Sequence, residues 1–298
     1  MSRFPTRRKF LQVSAVGAAA VALATIGDGT IFAANRPQLV SIEIPLPRLP
    51  ESWDGLRIAQ LSDLHYDDYF SVVPLRKAID IVNRLQPDLI VLTGDFVTAP
   101  VGLSKGARSK AAAAAIEPCA QWLAQLRAGL GLVAVLGNHD LSTNAAHITA
   151  VLQSHAVQVL QNRSIVFERE GKRLWLAGAD DVLEGKPDLK PTLSPIPPAD
   201  AVVLLAHEPD WADHVARFPV DLQLSGHSHG GQIRLPIIGP PYLPSLGRKY
   251  PRGMRRIGPL VLYTNPGIGT IRIPMRLNCP PEVTLITLRA APAASRYD

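Results

Sequence analysis

Residues 132–140 read Leu-Val-Ala-Val-Leu-Gly-Asn-His-Asp, a short apolar run that ends abruptly in polar side chains. Short apolar runs of this length are typical of strands buried in a sheet. The glycine at the end of the run allows the chain to turn sharply out of a sheet. We therefore predict a buried strand that carries an amide, an imidazole and a carboxylate at its carboxyl end.

Four other apolar runs end in the same way. They are Leu56–Leu61 before Asp63 and His65, Leu89–Leu92 before Asp95, Ala201–Leu205 before His207, and Leu222–Leu224 before His227 and His229. Helical patterns alternate with these runs, at Pro74–Leu85, Ser109–Arg127, Ala145–Gln153 and Trp211–Phe218. This alternation predicts a layered α/β domain. Ligands of α/β folds bind at the carboxyl ends of strands, so the five endings predict one site.

The residue types at this site favour a metal centre. Alternate residues of an extended chain point to the same side, so Asp63 and His65 face one ion together. Imidazole combined with carboxylate suits Mn, Fe or Zn, whereas Mg and Ca prefer oxygen ligands. Two divalent ions a few ångströms apart need a shared anionic ligand, and the carboxylate of Asp95 is suited to that role. We predict two divalent metal ions as cofactors.

Taken in order, the motifs DxH, GD, GNHD, H and GHxH resemble the calcineurin-like metallophosphoesterase family over residues 54–288. The resemblance implies two central mixed sheets flanked by helices, and hydrolysis of phosphoesters by a metal-activated hydroxide. It implies a first metal held by Asp63, His65, Asp95 and His229, and a second held by Asp95, Asn138, His207 and His227. His139 then faces the anionic substrate as general acid or charge stabiliser. For Asp140 two interpretations stay open, because it either orients His139 or caps the next turn.

A closer likeness is to exported bacterial members of this family, carried by His207-Glu208-Pro209-Asp210 and the run from Gly226 to Gln232. Members of that group cleave phosphodiesters, or UDP-2,3-diacylglucosamine in lipid A biosynthesis. The likeness implies a phosphodiesterase, pyrophosphatase or phosphomonoesterase that acts on an envelope or lipid-linked substrate. A UDP-2,3-diacylglucosamine hydrolase is one alternative. A non-catalytic, metal-stabilised protein that binds membrane surfaces is another, although such a protein has no need of His139.

The stretch from Leu222 to Pro281 contains no Asp or Glu but holds eight Arg and Lys residues. Its middle, Leu235–Pro259, lacks helical periodicity and is rich in proline and glycine, and long irregular segments in compact domains usually have functions. We predict that this segment binds an anionic substrate or contacts a membrane surface of anionic lipid; a solvated surface loop whose charges only aid solubility is the alternative. The predicted substrate-binding residues are Arg248, Lys249, Arg252, Arg255 and Arg256.

The first 34 residues have the pattern of an export signal. Arg7 and Arg8 precede Phe10-Leu11 and an apolar run from Val13 to Ile26. Such a pattern resembles the twin-arginine signal, which a receptor reads as an address. We predict recognition by the twin-arginine export machinery and a location in the periplasm or on the outer face of the cytoplasmic membrane. Cleavage of the leader and its retention as an anchor both stay open, and the catalytic domain is predicted to span residues 35–298.

The overall composition is that of a globular protein and gives no reason to expect a nucleic-acid partner or a structural zinc site. Apolar residues make up 47% and charged residues 19% of the chain, a globular composition that supports a sizeable core. The net charge is +6, a modest excess that gives no reason to expect nucleic acid as a partner. Cys119 and Cys279 belong to no CxxC pair, so a structural zinc site is not expected. They form one disulfide or remain two free thiols.

Overall fold

The computed structural model describes residues 33–98 and 104–291, together with positions 7, 14 and 17. Apart from those three positions, the predicted leader lies outside the described residues. Within the described part of the chain, every helix is too short or too polar to span a bilayer. Both cysteines are buried free thiols, which resolves the choice that the sequence left open.

Two sheets of six strands each form the centre of the described ranges. The first sheet has the order β1-β12-β2-β3-β4-β5, with strands Gln38–Leu46, Glu282–Ala290, Arg57–Leu61, Leu89–Thr93, Leu132–Val135 and Val157–Val159. The second has the order β10-β11-β9-β8-β7-β6, with strands Gly253–Ile257, Leu260–Thr264, Leu222–Ser225, Ala201–Leu205, Lys172–Gly178 and Arg163–Arg169. Each sheet combines parallel and antiparallel pairs, so the predicted mixed-sheet α/β class is confirmed.

The main core lies between the facing sheets. Buried side chains of β3, β4, β8 and β9 meet there, including Val91, Val133, Val203 and Leu224. The strands that carry the predicted site are buried on both faces, which is why they read as continuous apolar runs. Because these strands are parallel neighbours within each sheet, their carboxyl ends come together at one edge of the sandwich.

Helices cover the outer faces of both sheets. Helices α1 (Val72–Leu85), α2 (Lys105–Leu123) and α3 (Asn138–Ser154) pack on the first sheet. The short helices α4 (Leu189–Leu193) and α5 (Ala212–Val215) lie on the second. The helix predicted at Trp211–Phe218 is shorter in the structure. It consists of a 3₁₀ turn at Pro209–Trp211 followed by the single α-helical turn of α5. Helix α3 begins seven residues earlier than predicted, with a break at Asn144.

The segment Leu235–Pro259, predicted as irregular, contains strand β10. This strand pairs only with β11 and forms the edge of the second sheet, so most of its side chains stay exposed. Arg255 and Arg256 therefore lie on a strand and not in a loop. A strand of this composition lacks the apolar run by which the buried strands were recognised.

Candidate metal centre

The structure brings all seven predicted metal ligands to one end of the two sheets. Six of them form two clusters in which the ligand atoms lie within 4.8 Å of one another. The first cluster contains Asp63, His65 and His229, and the second contains Asp95, His207 and His227. All six are buried, with exposed fractions of 6% or less. This grouping matches the division into two sites that the family resemblance implies.

Asp95 lies between the two clusters. Its Oδ2 atom is 3.2 Å from Nε2 of His207 in one cluster and 3.6 Å from Nε2 of His65 in the other. Nε2 of His65 is in turn 3.0 Å from Nε2 of His229. Two buried neutral imidazoles whose nitrogens face each other beside a carboxylate are well suited to share a cation. The geometry places the Asp95 carboxylate where it can bridge two ions.

Hydrogen bonds on the far side of the imidazole rings orient the ligand nitrogens. Nδ1 of His207 donates to the carbonyl of Thr93 at 2.6 Å, so Nε2 is the atom that faces Asp95. Nε2 of His207 is buried, and its 3.2 Å contact with the Asp95 carboxylate lacks the angles of a good hydrogen bond, so this nitrogen remains suited to a metal. Nε2 of His227 donates to the carbonyl of Ser245 at 2.7 Å, which leaves Nδ1 beside Oδ1 of Asn138 at 3.1 Å. Such outer hydrogen bonds select the tautomer that binds a metal.

Burial sets the charge of these groups. It lowers the pKa of His65 to about 3 and that of His227 to about 4, so both imidazoles are neutral near pH 7. Burial lowers the pKa of His207 as well, but the Asp95 carboxylate outweighs it and raises this pKa above its ordinary value. Burial raises the pKa of Asp63 to about 6. Carboxylates packed this closely favour a bound cation, and the donor set of imidazole nitrogen and carboxylate oxygen fits Mn, Fe or Zn.

Five of the ligands have a backbone conformation that is rare outside glycine. The φ angles are 51° at Asp63, 42° at His65, 57° at Asp95, 68° at His227 and 52° at His229. Left-handed residues of this kind concentrate at functional sites, where the surrounding structure holds them. Here the amide of Asp63 donates to the carbonyl of Gly94, and the amide of His65 donates to that of Asp95. The amide of His227 donates to the Asp63 carboxylate at 3.0 Å.

The three glycines that precede ligands serve two different purposes. Only Gly94 has a left-handed φ, of 95°. At Gly137 a Cβ atom would collide with the side chain of Asp95, and at Gly226 it would collide with Ser62 and Asp63. Glycine is therefore required at Gly137 and Gly226 by the lack of space for a side chain and not by a left-handed φ. These glycines are needed because the ligand segments of different strands approach each other closely.

Asp140 holds the loop that carries Asp95. Its buried carboxylate accepts hydrogen bonds from the backbone amides of Asp95, Phe96 and Val97 at 2.9–3.2 Å. It also accepts one from the amide of Gly137, which caps helix α3. The structure thus shows the capping interaction, together with a clamp on the Asp95 loop, and shows no bond from Asp140 to the His139 ring.

His139 lies at the edge of the metal centre. Its ring centroid is 5.0 Å from that of His65 in an edge-on arrangement, and its amide donates to Asp95 at 2.9 Å. The side chain is partly exposed and lines a cavity. His139 thus faces the space in front of the two clusters, which is the place that its predicted role requires.

The cavity in front of the clusters has a volume of about 460 Å³. One wall is formed by Asp95, Asn138, His139, His227 and His229. We call the apolar part of the lining the facing wall. It contains Leu183, Ile233, Pro241, Tyr242, Pro244, Ile271 and Ile273. One basic side chain, Arg272, also lines the cavity, with its guanidinium 4.9 Å from the ring centroid of Tyr242.

None of the five basic residues predicted to bind substrate lines this cavity. Lys249 pairs with Asp213 at 2.7 Å on the surface. Arg252 and Arg255 border a separate depression, together with Arg234 and Glu282. Arg248 and Arg256 are exposed and lie outside both spaces. Arg272 belongs to the same acid-free stretch, where it lies between Ile271 and Ile273. These two apolar neighbours are the feature of the sequence that distinguishes it from the five predicted residues.

Comparison with known proteins places this centre in a family. Residues 56–231 match the family described as calcineurin-like phosphoesterase. The chain is 35% identical to the metallophosphoesterase YkuE of Bacillus subtilis (strain 168), over 96% of this chain and 98% of that protein. It is 32% identical to the phosphodiesterase YaeI of Escherichia coli (strain K12), over 95% and 99%. It is 26% identical to the UDP-2,3-diacylglucosamine pyrophosphatase LpxG of Chlamydia trachomatis, over 81% and 86%.

These matches agree with the two clusters of ligands and with His139 at the cavity. The match to a phosphoesterase family favours a hydrolase over the alternative of a non-catalytic binding protein. The chain belongs to the calcineurin-like phosphoesterase family and is a metal-dependent hydrolase whose ligand clusters suit two divalent ions.

Proposed function

We propose that this chain hydrolyses phosphodiester or pyrophosphate bonds in amphiphilic, envelope-derived or lipid-linked substrates. The observation that carries the proposal is the cavity, whose lining combines metal ligands with the apolar side chains of the facing wall. A phosphate diester has one negative charge and two substituents. The guanidinium of Arg272 suits that charge, and the facing wall suits an apolar substituent.

Two bound divalent ions supply Lewis acidity toward the phosphoryl oxygens and lower the pKa of water, so that a nucleophile exists near neutral pH. The side chains of the chain itself do the rest. His139 faces the cavity and is placed to donate a proton to the leaving oxygen. Arg272 is placed to hold a phosphoryl oxygen by charge-assisted hydrogen bonds. Asp140 keeps the Asp95 loop in its left-handed conformation while the substrate binds.

The names of two relatives support this choice. YaeI is named as a phosphodiesterase and LpxG as a pyrophosphatase, and neither name describes a phosphomonoesterase. LpxG is named for an acylated nucleotide-sugar, so hydrolysis of UDP-2,3-diacylglucosamine is a second candidate for this chain.

The test compares p-nitrophenyl phosphate with a series of p-nitrophenyl alkyl phosphodiesters, from methyl to octyl, using Mn-loaded protein. We expect the diesters to be preferred and kcat/KM to rise with chain length. The rise is at most about fourfold for each methylene that the facing wall buries. In Ile271→Ala the dependence on chain length should flatten. Leu39→Ala, which truncates an exposed residue of β1 outside the cavity, is the matched control.

Preference for the monoester, or equal rates for methyl and octyl diesters, would overturn the proposal. The second candidate is tested in the same assay with UDP-2,3-diacylglucosamine, by following UMP release. Hydrolysis much faster than that of any alkyl diester would favour it.

We also propose that the chain is exported by the twin-arginine route. The support is the arginine pair Arg7-Arg8 ahead of the apolar run Val13–Ile26. Replacing both arginines by lysine keeps the charge of the leader but removes the pattern that the receptor reads. Cell fractionation should then find the double variant in the cytoplasm and the parent outside it. Normal export of the double variant would contradict this route.

A further inference from the structure

Residues 235–239 form a tight hairpin beside the cavity. The amide of Leu235 donates to the carbonyl of Gly239 and the amide of Gly239 donates to that of Leu235, each at 2.9 Å. Ile237 and Ile238 stand at its tip, fully exposed and 76% exposed, respectively. Ile237 is held at a φ of 68°, a rare conformation for a β-branched residue. Two adjacent exposed isoleucines on a closed hairpin require an explanation.

The chain on both sides of the hairpin lines the cavity, through Ile233 before it and Pro241 and Tyr242 after it. Tyr242 and Ile273 line the cavity and are also 54% and 52% exposed. The side chain of Gln232, which precedes Ile233, donates through Nε2 to the carbonyls of Ile271 and Ile273. The hairpin is thus flanked by residues of the facing wall. We call Ile237, Ile238, Tyr242 and Ile273 the apolar rim.

Arginines accompany the apolar rim. Arg272 lies against Tyr242, and Arg234 follows directly on Ile233 of the facing wall. Arg252, Arg255 and Arg256 are exposed in the same acid-free stretch of sequence. An exposed apolar tip in a basic, acid-free stretch is complementary to a bilayer that contains anionic lipid. It is a poor match for a second copy of the chain, because the two basic stretches would repel each other.

We propose that the apolar rim inserts into the surface of an anionic bilayer and presents the cavity to lipid phosphoesters there. Ile237 and Ile238 enter the acyl boundary, and the arginines of the same stretch bind headgroup phosphates. An acyl chain then passes along Tyr242 and Ile273 into the cavity without crossing water. This inference rests on the proposed function for the identity of the substrate, whereas the membrane contact itself is independent of catalysis.

The experiment measures flotation of the metal-loaded protein with vesicles of phosphatidylcholine and phosphatidylglycerol (3:1), and with phosphatidylcholine alone. The test variant is Ile237→Ser/Ile238→Ser. The control is Val166→Ser, because Val166 is 43% exposed on β6, at the opposite edge of the second sheet from β10. We expect the parent and the control to bind anionic vesicles. The double variant should bind at least about tenfold more weakly, since two isoleucines lose their apolar contact.

Turnover of a small soluble diester separates this inference from the proposed function. All three proteins should hydrolyse it equally, and circular dichroism should show equal folding. If none hydrolyses it while vesicle binding follows the expected order, the proposed function fails and the membrane contact stands. Absence of binding by the parent, or equal binding by the double variant, overturns the inference. A parent dimer that the double variant disrupts, without vesicle binding, would instead identify the rim as a self-association surface.

Discussion

On the ligand side of the cavity the six clustered metal ligands are almost fully buried, whereas on the facing wall Tyr242 and Ile273 are about half exposed. The ligand side is built from the ends of five strands that belong to two sheets. The facing wall consists of segments outside the main sheets, joined through Gln232 and an isolated bridge between Ile233 and Leu277. Rigid strand ends keep the ligands in place, and less tightly held segments form the surface toward the substrate.

This difference has a consequence for the effects of mutation. A change on the ligand side disturbs groups that many hydrogen bonds hold in strained conformations. A change on the facing wall alters contacts with substrate and leaves the metal centre intact. We therefore expect the effects of mutations on activity to decrease from Asp95 outward to the exposed arginines.

The largest effect is expected for Asp95→Asn. The substitution removes the charge that two neighbouring cations share, so elemental analysis should find less than the two ions per chain of the parent. Activity should fall by more than the roughly 10–100-fold that loss of an outer hydrogen-bond partner costs. Asp221→Asn is the control, because Asp221 is a buried aspartate that pairs with Arg48 away from the site. Full activity of the parent with one metal or none would contradict the dinuclear centre.

The next effect is expected for His139→Ala, which should keep both metals. If His139 protonates the leaving oxygen, activity falls by roughly 10²–10⁴-fold. The loss should be smaller for p-nitrophenyl esters than for alkyl esters, since a good leaving group needs little protonation. His147→Ala, an exposed histidine of the same helix, is the control. Equal losses for both classes of ester would favour stabilisation of charge over proton transfer.

A smaller effect is expected for Arg276→Gln. Arg276 is completely buried and donates to the carbonyls of Pro266, Gly269 and Cys279, with no carboxylate among its hydrogen-bond partners. These bonds hold the segment whose Gly269 amide donates to the carbonyl of Asp63. We therefore expect Arg276 to position the first cluster, and the affinity of one metal site to fall by roughly 10–100-fold.

The measurement for Arg276→Gln is competition with a chelator, which reports the affinity of each ion separately. One site should weaken while the other keeps its affinity. Arg289→Gln, which breaks surface ion pairs with Glu43 and Asp54, is the matched control. Equal weakening of both sites would show that Arg276 serves the stability of the fold and not the position of one cluster.

The ligand side could be predicted from the sequence for a physical reason. Buried parallel strands read as apolar runs, and polar residues directly after them are confined to one sheet edge. That is why Asp63, Asp95 and His227 come together as expected. The clamp formed by Asp140 was not recognisable, because its carboxylate binds amides some 43–45 residues away along the chain. Only the packed structure shows that Gly137 and Gly226 are needed for close approach.

The facing wall was harder to predict. The acid-free stretch was recognised, but its composition does not tell which arginine faces the cavity. None of the five residues predicted to bind substrate lines the cavity, and two of them lie on β10, whereas Arg272 does line it. The path of segments outside the main sheets depends on contacts such as those of Gln232 with Ile271 and Ile273, which leave no periodic pattern in the sequence.

The smallest effect on a soluble substrate is expected from the variant in which Arg248, Lys249, Arg252, Arg255 and Arg256 are all replaced by Gln. These side chains lie outside the cavity, and at 0.15 M salt exposed charges act over only about 8 Å. Hydrolysis of a small diester should therefore change by less than about twofold.

Arg272→Gln is the matched comparison, because it removes one charge from inside the cavity. It should lower kcat/KM by roughly tenfold or more, as expected for loss of a hydrogen bond from a charged group. Flotation with anionic vesicles should show the opposite order, since each exposed Lys or Arg near such a bilayer contributes about 1 kcal/mol. If the variant with five replaced residues loses as much small-diester activity as Arg272→Gln, the exposed basic residues bind substrate directly. The substrate-binding surface then extends beyond the cavity.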